Sequence, residues 1–132
     1  MHDETSPALR VALAYHRAWT TGDLDLAMSH LAGDVVCDAP AGRIEGLAAY
    51  RAFLAPFAGM LISATLIAAF GDQEKALLMY DTRTTLVPSG PGAECVTVRD
   101  GRIRYNRFIF DRVPFEAARR AAVTGAPRTP GA

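Results

Sequence analysis

Few side chains in this sequence have chemistry to offer, and their spacing narrows the choice. Asp81 stands in the run Leu77-Leu78-Met79-Tyr80-Asp81-Thr82-Arg83, where a carboxylate on a buried face needs a reason. Among apolar neighbours its pKa rises, which makes it a candidate general base. The alternative is an ion pair with Arg83, Arg104 or Arg107 on the other face of a sheet. Tyr15 and Trp19 lie one helical turn apart, so a phenol and an indole share one face. His16 and His30 have the intrinsic pKa of a base, but His16 points about 100° away from Tyr15 on a helix. Neither histidine has a partner at metal-ligand spacing, so no metal is expected. Cys37 and Cys95 are the only thiols and form no CxxC, which suits reduced, buried cysteines. The glycines match neither a phosphate loop nor a dinucleotide fingerprint, and no nucleotide cofactor is expected.

Positioning these groups falls to a single domain. The chain has 132 residues, 50% of them apolar, enough for one buried core. Fourteen basic and fourteen acidic residues cancel, so no nucleic-acid or anionic-membrane partner is expected. No apolar run reaches membrane-spanning length, and Met1-His2-Asp3-Glu4-Thr5 is unlike a secretory leader. The expected setting is soluble and cytoplasmic.

The elements follow from local signals. Ser6-Pro7 starts a helix whose apolar stripe is Leu9, Ala12, Leu13, His16 and Trp19. Gly22 ends it, and Asp23 caps a second helix running to about His30. Val35-Val36-Cys37 reads as a short strand. A third helix follows Gly46, and Pro56 is expected to end or kink it. Leu61–Phe70, Lys75–Val87, Glu94–Arg99 and Arg102–Arg112 read as strands, the last two joined at Asp100-Gly101, a type I′ hairpin signal. Pro114–Ala122 is expected to be helical. Residues 1–5 and the Pro/Gly/Ala-rich 123–132 are expected to be flexible, flanking one domain over 6–122. Helices first and a strand meander afterwards give an α+β fold, helices packed on one face of a curved, mainly antiparallel sheet.

This order resembles the NTF2-like superfamily, in its SnoaL-like and ketosteroid isomerase-like branch. Ala14 to Asp25 looks like the junction of its first two helices, and His30 to Val36 like its "LxxDVV" strand start. Arg43 to Phe53 is similar to its "GxxAIRxF" helix, and Asp100 to Asp111 to its closing strand. The resemblance implies a cone with one apolar pocket. Tyr15 then takes the place of the isomerase tyrosine that donates a hydrogen bond to an enolate oxygen. The isomerase base falls at Ala39, one residue from Asp38, and its partner acid at Cys95. Limonene epoxide hydrolases are similar on the strand of Asp81. There the arginine position holds Met79, the first-strand positions hold Cys37 and Ala39, and the last-strand acid position holds Phe108.

The resemblance also turns Asn106, Phe108 and Phe110 towards the pocket, and Arg107 and Ile109 outward to a homodimer interface. Three functions stay open. The first is a cofactor-free isomerase, cyclase or hydrolase acting on a small apolar ring compound. Tyr15 and Asp81 would be catalytic, with Trp19, Cys37, Ala39, Met79, Asn106, Phe108 and Phe110 lining the site. The second is a ligand-binding module that has lost the family's catalytic residues. The third is a dimeric accessory protein whose pocket its own Phe and Leu side chains fill.

Overall fold

Ser6 opens the first helix through its side chain. Its Oγ accepts from Leu9 N at 3.0 Å and donates to Asp72 O at 2.6 Å, tying the helix start to a distant turn. Helix α1 (Pro7–Thr20) buries Leu9, Ala12, Tyr15, His16 and Trp19 along one stripe. Asp23 accepts from Leu26 N at 3.1 Å and caps the short α2 (Leu24–Ser29). The third helix, α3 (Leu47–Met60), runs through Pro56 and does not end there. Proline removes one helical hydrogen bond, and Tyr50 and Leu54, buried before it, hold the helix against the core. The computed structural model describes residues 6–123. The segments expected to be flexible lie outside this range, apart from Val123 at the end of α4 (Val113–Val123).

Six strands form one sheet in the order β2-β1-β6-β5-β4-β3. They are β1 (Leu31–Ala39), β2 (Gly42–Glu45), β3 (Leu61–Gly71), β4 (Lys75–Thr84), β5 (Gly90–Arg99) and β6 (Arg102–Phe110). All neighbours are antiparallel except β1 with β6. The β1–β2 hairpin was not foreseen; Val35-Val36-Cys37 is the middle of a nine-residue strand. The turn between β5 and β6 carries positive φ at Asp100 (55°) and Gly101 (76°), as a type I′ hairpin requires. Register shifts in β3 bend the sheet around α1 and α3.

The core sits between the helices and the concave face. Strand β4 alternates without a break. Ala76, Leu78, Tyr80, Thr82 and Thr84 point inward, while Lys75, Leu77, Met79, Asp81 and Arg83 point out. Met79 is therefore on the face opposite to that expected, and Asp81 is on the outer face, the second of the two placements open to it. With a period of two, an error of one residue reverses every side chain, and both sets of this strand are apolar enough to mislead. No helix among the described residues is long and apolar enough to cross a membrane.

Candidate functional site

A cavity of about 280 Å³ opens at one end of the cone. Helix α3 supplies Phe53, Leu54, Phe57 and Met60 to its wall, and β6 supplies Phe108 and Phe110. Tyr80 and Thr82 of β4 and the segment Gly90–Gly92 of β5 form the opposite side. Helix α4 lies across the mouth, where Phe115 packs against Phe57 (5.9 Å between ring centroids) and Phe110 (6.0 Å). Glu116 and Arg119 complete the rim with Arg112, and the Arg112–Glu116 pair closes at 2.7 Å.

Behind the wall lies a buried polar chain. Glu94, 1% exposed, projects from β5 on the face it shares with Gly92, Val96 and Val98. The Tyr80 hydroxyl donates to Glu94 Oε2 in a short hydrogen bond. Asn106 Nδ2 donates to Glu94 Oε1 at 2.6 Å and to Tyr50 Oη at 2.8 Å. The Tyr50 and Tyr15 hydroxyls meet at 2.6 Å. Five residues from α1, α3, β4, β5 and β6 are joined in this way, and Tyr80 is the one on the cavity wall. Gly92 makes room for it: a Cβ there would lie 3.2 Å from Tyr80 Cε2.

Burial pushes the Glu94 carboxyl above its usual range, against the opposing pull of its hydrogen bonds from Tyr80 and Asn106. Desolvation wins because no cation among the described residues shares the site. Tyr15, Tyr50 and Tyr80 are held protonated, first by burial and then by the nearby Glu94 charge. Burial, with the charges of Glu94 and Asp38, pushes the Cys37 thiol up to about 12. His16 packs on the Tyr80 ring (4.7 Å) and is lowered to about 4 by burial and then by the Arg17 charge.

The expected site residues divide accordingly. Phe108 and Phe110 line the cavity, whereas Asn106 stands behind the wall in the polar chain. Tyr15 is also in that chain, at the end away from Tyr80, so its hydroxyl does not reach the cavity as expected. Trp19 is fully buried against Phe57 and Tyr80, and Cys37 is fully buried beneath the wall. Ala39 is half-buried at the core's edge.

Asp81 is exposed on the outer face and makes no ion pair among the described residues, so neither role foreseen for it is met. Asp38 also faces outward, held by Arg43 (2.9 and 3.0 Å) and the Tyr105 hydroxyl (2.6 Å), and these bonds hold its carboxyl low. Sequence reasoning missed Glu94, Tyr50 and Tyr80. For Glu94 the signal was present, since it alternates with Val96 and Val98 on an apolar face. Among the described residues no cluster of three metal-ligating side chains occurs.

Helices packed on a bent, open sheet, with a buried polar chain behind an apolar cavity, define an NTF2-like fold. The chain belongs to the SnoaL-like domain family, which matches residues 12–106 and so spans all five members of the polar chain. A crystal structure from Kribbella flavida is 58% identical, covering 90% of this chain and 98% of that one, with a TM-score of 0.87. An NTF2-like protein of unknown function from Cytophaga hutchinsonii is 19% identical, with 86% and 99% covered and a TM-score of 0.71. A second Kribbella flavida protein, provisionally named a ketosteroid isomerase, is 20% identical, with 80% and 78% covered and a TM-score of 0.72. No functionally curated protein matches the chain.

Proposed function

We propose that the protein is a cofactor-free acid–base catalyst acting on a small, apolar, ring-containing carbonyl compound. The observation that carries this is the bond from Tyr80, on the cavity wall, to the buried Glu94. A carboxyl raised by burial beside an apolar cavity is the arrangement of a general base working near neutral pH. In this reading a proton leaves the carbon next to the substrate carbonyl for Tyr80 Oη as the Tyr80 proton passes to Glu94 Oε2. When Glu94 returns its proton to Tyr80 as Tyr80 Oη delivers one proton to a different carbon, the substrate is isomerised; attack of the same enolate on a second carbonyl of the substrate, whose oxygen takes that proton instead, closes a ring. Asn106 holds the second carboxylate oxygen, and Tyr50 and Tyr15 brace Asn106 in turn.

The test follows deuterium uptake by NMR for aryl and cyclic ketones in heavy water. The protein should accelerate exchange at the carbon next to the carbonyl, and Glu94→Gln and Tyr80→Phe should each lose about a hundredfold. Equal rates in the wild-type protein and Glu94→Gln would overturn the assignment. A second reading, ligand binding without turnover, draws on the otherwise apolar wall. A ketone that saturates the cavity without exchanging would establish it.

The outer face of the sheet carries Phe70 beside Leu77 and Met79 in line with Ala93 and Ile109, all but Ala93 among the most exposed large apolar residues. Apolar side chains grouped in this way favour a second copy of the chain as partner, giving a homodimer. Balanced charge supports a soluble, cytoplasmic setting, with no nucleic acid or membrane among the partners.

A further inference from the structure

The cavity wall is apolar except at two places: Tyr80 and Thr82 inside, and a group of three charges at the rim. Those charges do not balance. Arg112 and Glu116 neutralise one another at 2.7 Å, one turn apart on the chain. Arg119 lies a turn beyond Glu116 on the same side of α4, with its guanidinium carbon 6.0 Å from the Phe115 ring centre. It has no acidic partner among the described residues. One uncompensated positive charge therefore faces a cavity whose body is aromatic.

We infer that the ligand of this cavity is a monoanion: a ring compound with its carbonyl towards Tyr80 and a carboxylate at the mouth, read by Arg119. This rests on the function proposed above and adds the charge of its substrate. A guanidinium presents paired N–H donors that match the two oxygens of a carboxylate, and the Phe115 ring beneath keeps one face of it dry. A single positive charge suits a carboxylate better than a phosphate dianion, which would carry a second charge to a rim with nothing left to meet it. The aromatic walls from Phe53, Phe57, Phe108 and Phe110 supply the affinity for the ring, and Arg119 supplies its direction.

Calorimetric titration of the full-length protein with 4-acetylbenzoate and with its methyl ester, at low ionic strength, tests this. The acid should bind about tenfold more tightly than the ester, the worth of one charge-assisted hydrogen-bonded pair. Arg119→Gln should bring the ratio close to one by weakening the acid and leaving the ester unchanged. Glu116→Gln, which releases Arg112, should widen the preference for the acid. These are surface changes on α4, and unaltered ester binding reports that the cavity is intact. If the ester binds as well as the acid, or Arg119→Gln keeps the preference, the inference fails while the cavity's role stands. If neither compound binds, the cavity reading fails and this inference with it.

Discussion

Acidification should destabilise the protein through His16 in a way that can be isolated. His16 is 7% exposed, covered by the Tyr80 ring at 4.7 Å and the edge of Trp19 at 5.7 Å, and its Nδ1 has no hydrogen-bond partner among the described residues. Burial first, and the Arg17 charge second, lower its pKa from 6.5 to about 4. Below pH 6.5 the unfolded chain binds a proton at this position that the folded chain refuses. The stability from burying the neutral ring is thus complete above pH 6.5, and it drains away until the folded group titrates near pH 4. At about 1.4 kcal/mol per pH unit the loss reaches about 3 kcal/mol.

Urea unfolding of the wild-type protein and His16→Phe, from neutral pH down to pH 4, would measure it. Phenylalanine keeps a ring against Tyr80 and Trp19 and abandons no hydrogen bond of Nδ1. Glu94 acts in the opposite sense, since a raised carboxyl pKa favours the folded state as pH falls, but both proteins retain Glu94 and it cancels in the difference. Asp38 and Asp72, both held low, cancel likewise. The wild-type curve should fall away from that of the variant by about 3 kcal/mol. Parallel curves, or an NMR titration of His16 near 6.5, would refute the account of why this ring is neutral.

Two further expectations follow from the geometry. Gly92→Ala places a Cβ 3.2 Å from Tyr80 Cε2 and 3.5 Å from its Oη. It should cost about 1–2 kcal/mol in urea unfolding and lower the deuterium-exchange rate with the Tyr80→Phe variant, because the phenol must shift off Glu94. On the outer face, Ile109→Lys and Met79→Lys should turn a dimer into a folded monomer by light scattering, with the circular dichroism spectrum unchanged. A monomeric wild-type protein at working concentration would dispose of the interface.

Where one local signal settled the geometry, the chain could be read directly. Ser6-Pro7, Gly22-Asp23 and Asp100-Gly101 each fix a boundary through a cap or a positive φ, and the helix-then-strand order followed from them. The site was less legible, for two physical reasons. Strand β4 sets Leu77 and Met79 against Leu78 and Tyr80, so hydrophobicity gives no contrast between its faces and only the folded sheet decides. Counting back from the Asp100-Gly101 turn led to Cys95, although alternation within β5 puts Glu94 with Val96 and Val98 on the apolar side. Strand β6 breaks its own period where Thr97 pairs with Tyr105 and Val98 with Ile103, a shift that turns both Ile103 and Asn106 inward. Tyr50 offered no signal of its own, because a tyrosine on a helix stripe is the same letter whether its hydroxyl is idle or bridges Tyr15 to Asn106.

Helix α4 crosses the mouth of the cavity, yet of its eleven residues only Phe115 is buried, and it lies outside the segment matched to the family. What folds the cone and what lies across the mouth of its cavity are therefore largely separate stretches of sequence. A lineage could rewrite those residues, exchanging charges and side-chain lengths at the mouth, while the Glu94 chain behind the wall stayed as it is. Diversity in what such proteins accept would then accumulate in this helix, where a change in preference puts little folding stability at risk.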